Sequence, residues 1–321
     1  MPPIDGIIYR VIISVTMSVV RRRTKETLTA VELNKAQALE LTLSSGELWK
    51  LEVLDTGAEA IETKRKEINL ENPGFVTEIR FHADVKINGR SHTFNREISS
   101  QNSFYEPWVV DGVRIWLDAV DDVFDFMDEI HTICRSNKVG WSPVGSCMDT
   151  RWALQEEQWR ICPDILSHWC PLPENGLKVE MCYRGEDTWM GTYRGATLQA
   201  HGGLDINHPS GTPLFAPIDF DDNFLYDSVE MGQNNNRWRG IRRWGNGCEW
   251  ILQSAHMVEL TVPEHQPIKK GTQYAVGAGE FVGVVDHSHF IFRVYDDGNL
   301  YLLDPWILFW QMYRDEDQKS S

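Results

Sequence analysis

Basic residues are scarce in this chain: 31 lysines and arginines stand against 47 aspartates and glutamates, a formal net charge of −16 over 321 residues. That balance argues against a nucleic-acid groove and against binding to acidic membranes by charge alone. Cysteine is also sparse. None of the six forms a CxxC pair, so the usual pattern of a closed structural zinc site is missing. HExxH occurs nowhere, which excludes the arrangement in which one helix carries two zinc-binding histidines and a glutamate base. Met1 to Asp5 lacks the basic start of a signal peptide, and Arg10 interrupts the apolar stretch that follows. That stretch reads as a strand, not a membrane span.

Hydrophobic and aromatic residues are ample for packed cores, and the length fits two domains. The fold is read as all-β with minor helix. A β-sandwich-like domain is expected over 1–133, a connector rich in Cys, Pro and Trp over 134–175, an antiparallel β domain over 176–312 and a polar tail over 313–321. Ile7 to Val19 and Phe75 to Ile87 alternate apolar and polar residues with the period of half-buried strands. Asn88-Gly89 and Asp111-Gly112 favour the type I′ turn of two-residue hairpins, and Asn246-Gly247 marks another hairpin leading into His256. Thr27 to Gln37 and Leu117 to Ile130 read as helical, the second an acidic amphipathic stretch that covers a sheet edge. Cys134, Cys147, Cys162 and Cys170 cluster in or beside the connector, where disulfides are plausible in an exported protein.

Four residues carry the chemistry. His201 and Asp205 are separated by Gly202, Gly203 and Leu204. Residues four apart on a regular strand lie roughly 13 Å from each other, too far to share an ion that holds its ligands at about 2 Å. The glycines permit the kink that would bring the two side chains together. His287 and His289 are two apart and project from one face of a strand, so that one can bind metal while its neighbour faces a substrate. Three protein ligands with an open fourth position describe a catalytic zinc site.

From about residue 190 to 312 the chain resembles the lysostaphin and LytM type of zinc endopeptidase, which cuts peptide cross-links of bacterial cell walls and has a duplicated-hybrid-motif β fold. His201 to Asp205 matches that family's HxxxD strand, and Gly211-Thr-Pro-Leu-Phe-Ala216-Pro its GTP(V/L)xAP segment. Ala255-His256-Met257 is similar to its YxHL and Ile268-Lys-Lys-Gly-Thr272 to its VKKGQ. His287-Ser-His-Phe290 stands for HLHF and Leu303-Asp-Pro305 for the closing vxP. The resemblance implies Zn2+ held by His201, Asp205 and His289, with His256 and His287 as the catalytic histidine pair beside the attacking water. It further implies a peptidoglycan peptide as substrate and an extracytoplasmic location, periplasmic or in the cell envelope. Departures at Gly283 to Asp286 and at Ala255 bear on which bond is cut.

The remaining histidines have simpler readings. His208 is expected as an exposed loop residue in a Pro-Ser-Gly turn, His265 as a surface loop residue, and His82 and His92 as solvent-facing strand positions. His131 and His168 belong to no pattern. Two other functions compete: a zinc-binding but non-catalytic or latent regulator of the same fold, and a carbohydrate-binding β-protein with Trp108 and Trp116 as its platform. For those tryptophans core packing is the stronger reading.

Overall fold

The computed structural model describes residues 17–64, 75–98, 105–122, 148–160, 162, 165–166, 191–194, 197–200, 204–208, 211–226, 236–277 and 287–312. The chain is all-β: among the described residues it forms nineteen strands in three sheets and one short helix, 306–312. The expected strand Ile7 to Val19 lies mostly outside the described residues, as do Cys134, Cys147, Cys170, His131 and His168.

The first sheet has seven strands. β1 (Ser18–Arg23), β3 (Gln37–Thr42), β4 (Leu48–Lys64), β5 (Phe75–Ile87), β10 (Gly191–Arg194) and β11 (Thr197–Ala200) follow in that order, and β6 (Arg90–Ile98) also pairs with β5. β5 coincides with the strand expected from its alternation. Asn88 and Gly89 both have positive φ, 48° and 81°, and join β5 to β6 as the two-residue turn their side chains favour.

A second sheet of four strands runs β2 (Thr29–Leu33), β9 (Thr150–Glu156), β8 (Val113–Val120) and β7 (Trp108–Val110). Asp111 (φ 51°) and Gly112 (φ 73°) make the β7–β8 turn. This sheet is the middle layer of the molecule. One face, with Val31, Leu33, Ile115, Leu117, Trp152 and Leu154, packs on the first sheet. The other, with Ala30, Trp116 and Ala153, packs on the third. Two-sided burial corrects the first helical reading and the opening residues of the second. Thr29 to Leu33 and Leu117 to Val120 are strands; residues 123–130 lie outside the described set. A strand buried on both faces has no polar set to alternate with, so its sequence loses the period that identifies it. Trp116, fully buried, is a core residue and not a carbohydrate platform.

The third sheet has eight strands. β12 (Leu204–Asn207), β18 (His287–Asp296), β16 (Cys248–Leu260), β15 (Asn236–Trp244) and β14 (Asp222–Leu225) lie side by side. β19 (Asn299–Leu303) pairs with β18, β17 (Gln273–Gly277) with β16, and β13 (Pro213–Phe215) with β17.

A buried ionic cluster ties the layers together. Arg96 of β6 pairs with Asp304, just past β19, and donates to the carbonyls of Leu117 and Asp118 at 3.3 and 3.0 Å. The Asp304 amide donates to the Asp118 carboxylate at 2.7 Å. Arg151 of β9 reaches the Leu302 carbonyl at 2.8 Å and the carboxylates of Glu32 and Asp118 at 2.9 and 3.5 Å.

Glu156, at the end of β9, is a second buried carboxylate. Burial raises its pKa, but hydrogen bonds from Ser44, Thr24 and Gln158 outweigh that and hold it below the ordinary 4.5. A depressed folded-state pKa contributes stability that is fully present above the unfolded value and lost as pH falls through the folded one. Glu156→Gln, which cannot titrate, is therefore expected to lower stability at neutral pH and to flatten the decline below about pH 4.5. Denaturant unfolding at a series of pH values checks this. Parallel acid limbs in the two proteins would refute it.

Candidate metal centre

Three strands of the third sheet converge on one row. Asp205 of β12 stands directly opposite His289 of β18, and His289 directly opposite Ala255 of β16. Directly opposed residues of an antiparallel pair share a face, with Cβ atoms about 4.5–5.5 Å apart. His287 opens β18 opposite Asn207, two residues from His289 and therefore on the same face.

His256 enters the row by a different route. An unbroken strand would send it to the opposite face from Ala255. Between the pairs Asn236–Met257 and Trp238–Ser254, the single residue Arg237 of β15 instead faces two of β16, Ala255 and His256, which is a β-bulge. His256 has φ 62°, the left-handed region that costs a residue with a Cβ about 1–2 kcal/mol. Its ring ends 6.1 Å, centroid to centroid, from that of His289, and both rings are half-buried. The bulge delivers a second imidazole beside the first.

His201 and the glycines of the expected kink lie outside the described residues; Asp205 and His287 are placed by backbone register, and His256 and His289 by their rings as well. Among the described residues no group of three His, Cys, Asp or Glu side chains is placed to hold a metal ion; by residue type alone, the aspartate and histidines at positions 205, 256, 287 and 289 are donors that zinc accepts. The segments around it are braced by their own glycines. Gly211 (φ 78°) donates its amide to Gly277 and Gly271 (φ 77°) to Ala216, so the 211–217 and 268–272 stretches are bonded into one loop system below β13 and β17.

Two features escaped the sequence. His208 is not an exposed loop histidine: it is 4 % exposed, with Nε2 2.7 Å from the hydroxyl of the fully buried Ser288. Proximity to a turn hid it, because Pro209 and Ser210 promise solvent while the strand partner that covers the ring is 80 residues away. The second feature is cationic. Arg293, four residues beyond His289 on the same face of β18, is buried near Arg239 of β15; burial, and then the Arg239 charge, push its pKa down to about 10. The spacing 289, 291, 293 is the one available signal. His265, by contrast, is exposed as expected.

No protein-family profile matches the chain, and no curated protein resembles it. Solved structures do. The antimicrobial peptidase lysostaphin from Staphylococcus simulans is 19 % identical over 36 % of this chain and 44 % of its own, with a TM-score of 0.30; the chain thus spans under half the length of lysostaphin. LytU is 23 % identical over 39 % of this chain and 86 % of its own, at 0.31. A zinc-containing peptidase from Vibrio cholerae is 11 % identical over 80 % of this chain and 85 % of its own, at 0.29.

Proposed function

We propose that the protein is a zinc-dependent endopeptidase that hydrolyses peptide cross-links of bacterial cell-wall peptidoglycan. The observation that carries this reading is the row Asp205, His289, Ala255 with the His256 ring swung onto it. Three segments distant in sequence, each matching a different motif of one peptidase family, meet at one place. In this reading His201, Asp205 and His289 hold the metal, residues 176–312 form the catalytic unit, and the protein works outside the cytoplasm. No helix among the described residues is long and apolar enough to cross a membrane.

Zinc, when bound, polarises the scissile carbonyl and makes water acidic near neutral pH. The protein's own part is proton handling. An imidazole titrates close to the working pH, so a pair can split the two tasks. One of His256 and His287 accepts a proton from the attacking water at a ring nitrogen, and the other donates to the departing amine. No glutamate base is required.

Metal analysis and wall digestion test the proposal. The wild type is expected to carry one zinc and to release soluble fragments from purified peptidoglycan. His201→Ala is expected to lose the metal, and His287→Ala to keep it without releasing fragments. A wild type free of zinc after purification with zinc supplied would remove the site assignment, and zinc without digestion would remove the enzymatic one.

A further inference from the structure

We infer that His208 and Ser288 form a positioning pair that holds the strand carrying Asp205 in register with the strand carrying His287 and His289. The inference rests on the zinc-site reading above. Its basis is a second, buried polar contact on the reverse side of that site.

Ser288 lies between the two histidines of β18, so it faces the opposite side of the sheet. It is fully buried there, and His208, 4 % exposed, meets its hydroxyl at 2.7 Å. His208 follows directly after β12, whose last residue, Asn207, pairs with His287. The side-chain bond therefore adds a rung to the β12–β18 ladder one residue beyond the end of β12, immediately behind the candidate ligands. β12 has four residues and four rungs. A slip of one residue would send Asp205 to the other face, because side chains alternate with a period of two.

Stability alone does not call for this pair. Two apolar groups of similar shape would be nearly neutral there, since burying an imidazole and a hydroxyl costs desolvation that their hydrogen bond roughly offsets. The bond adds direction, which apolar contact lacks. The surroundings are also shaped for the ring. A Cβ on Gly277, the last residue of β17, would stand 2.4 Å from His208 Cε1. Gly277 is not among the residues of positive φ, so its backbone suits alanine and what its missing side chain makes room for is His208. Groups that orient metal ligands by direct hydrogen bonds typically change metal affinity by 10–100-fold when altered, and this pair would orient the ligands through strand register instead.

The test uses the full chain and four variants: His208→Ala, Ser288→Ala, Gly277→Ala and His208→Gln. Zinc affinity is measured by chelator competition, the visible absorption of the cobalt-loaded protein reports ligand geometry, and amide exchange is followed at Asp205, Asn207 and His289. His208→Ala, Ser288→Ala and Gly277→Ala are each expected to weaken zinc binding about 10–100-fold, to shift the cobalt bands and to speed exchange at the three amides. The double variant His208→Ala with Ser288→Ala should be no worse than either single one, and His208→Gln, which keeps a side-chain donor, should recover most of the affinity. Unchanged affinity, cobalt spectrum and exchange in His208→Ala would overturn the pairing's role. So would a Gly277→Ala protein that behaves as wild type. Should the wild type bind no zinc while His208→Ala still speeds exchange at those amides, the pair stands as a register device and the zinc reading falls.

Discussion

His256→Ala is expected to retain zinc and to lose about 10²–10⁴-fold in turnover, the usual worth of a positioned general acid or base. The zinc should remain because this imidazole reaches the site from a bulge beside the ligand row, not from within it. Stability provides an independent check. With φ 62° at position 256, alanine keeps the strain of a Cβ in the left-handed region, whereas glycine releases it. His256→Gly should therefore be more stable than His256→Ala by about 1 kcal/mol, although both lose turnover. Steady-state kinetics on a peptide substrate, metal content and unfolding midpoints measure the three quantities. Zinc lost in both variants would make His256 a ligand and return His289 or Asp205 to question.

The second large effect concerns stability. Asp304→Ala leaves the Arg96 guanidinium, 3 % exposed, without its carboxylate in the interior. Removing one partner of a buried ion pair costs about 3–5 kcal/mol, because the survivor keeps its desolvation penalty without its compensation. The loss should not stay local. Asp304 follows β19 and its amide donates to Asp118 of the middle sheet, while Arg96 belongs to the first sheet. All three layers meet at this pair. Denaturant unfolding followed by tryptophan fluorescence should show a lower midpoint for Asp304→Ala and a partial recovery when Arg96→Met is added. A midpoint within about 0.5 kcal/mol of wild type, the range of ordinary surface changes, would show the cluster to be energetically idle.

The sequence by itself determined much of the architecture wherever one face of a strand meets a core. Phe75 to Ile87 alternates over its full length and forms a strand with those same ends. Asn88-Gly89 and Asp111-Gly112 mark their turns because few other residues tolerate two successive positive φ angles. The motifs that nominate His201, Asp205, His256, His287 and His289 were likewise legible, since each is a local string. Asp297-Gly298, with φ 51° and 78° between β18 and β19, carries the same turn signal.

Tertiary structure decided the rest. β2 and the end of β8, from Leu117, were not legible as strands, nor was the sheet as a middle layer, because burial on both faces erases the alternation that a sequence reading depends on. The bulge at His256 has no local signature, being a mismatch in count between two strands. His208 became a buried partner of Ser288 only when a strand from the far end of the domain closed over it. A sequence records which side chains are available to a metal, but the angles and distances at which they meet belong to strand register, and register is set by contacts between residues far apart in the chain.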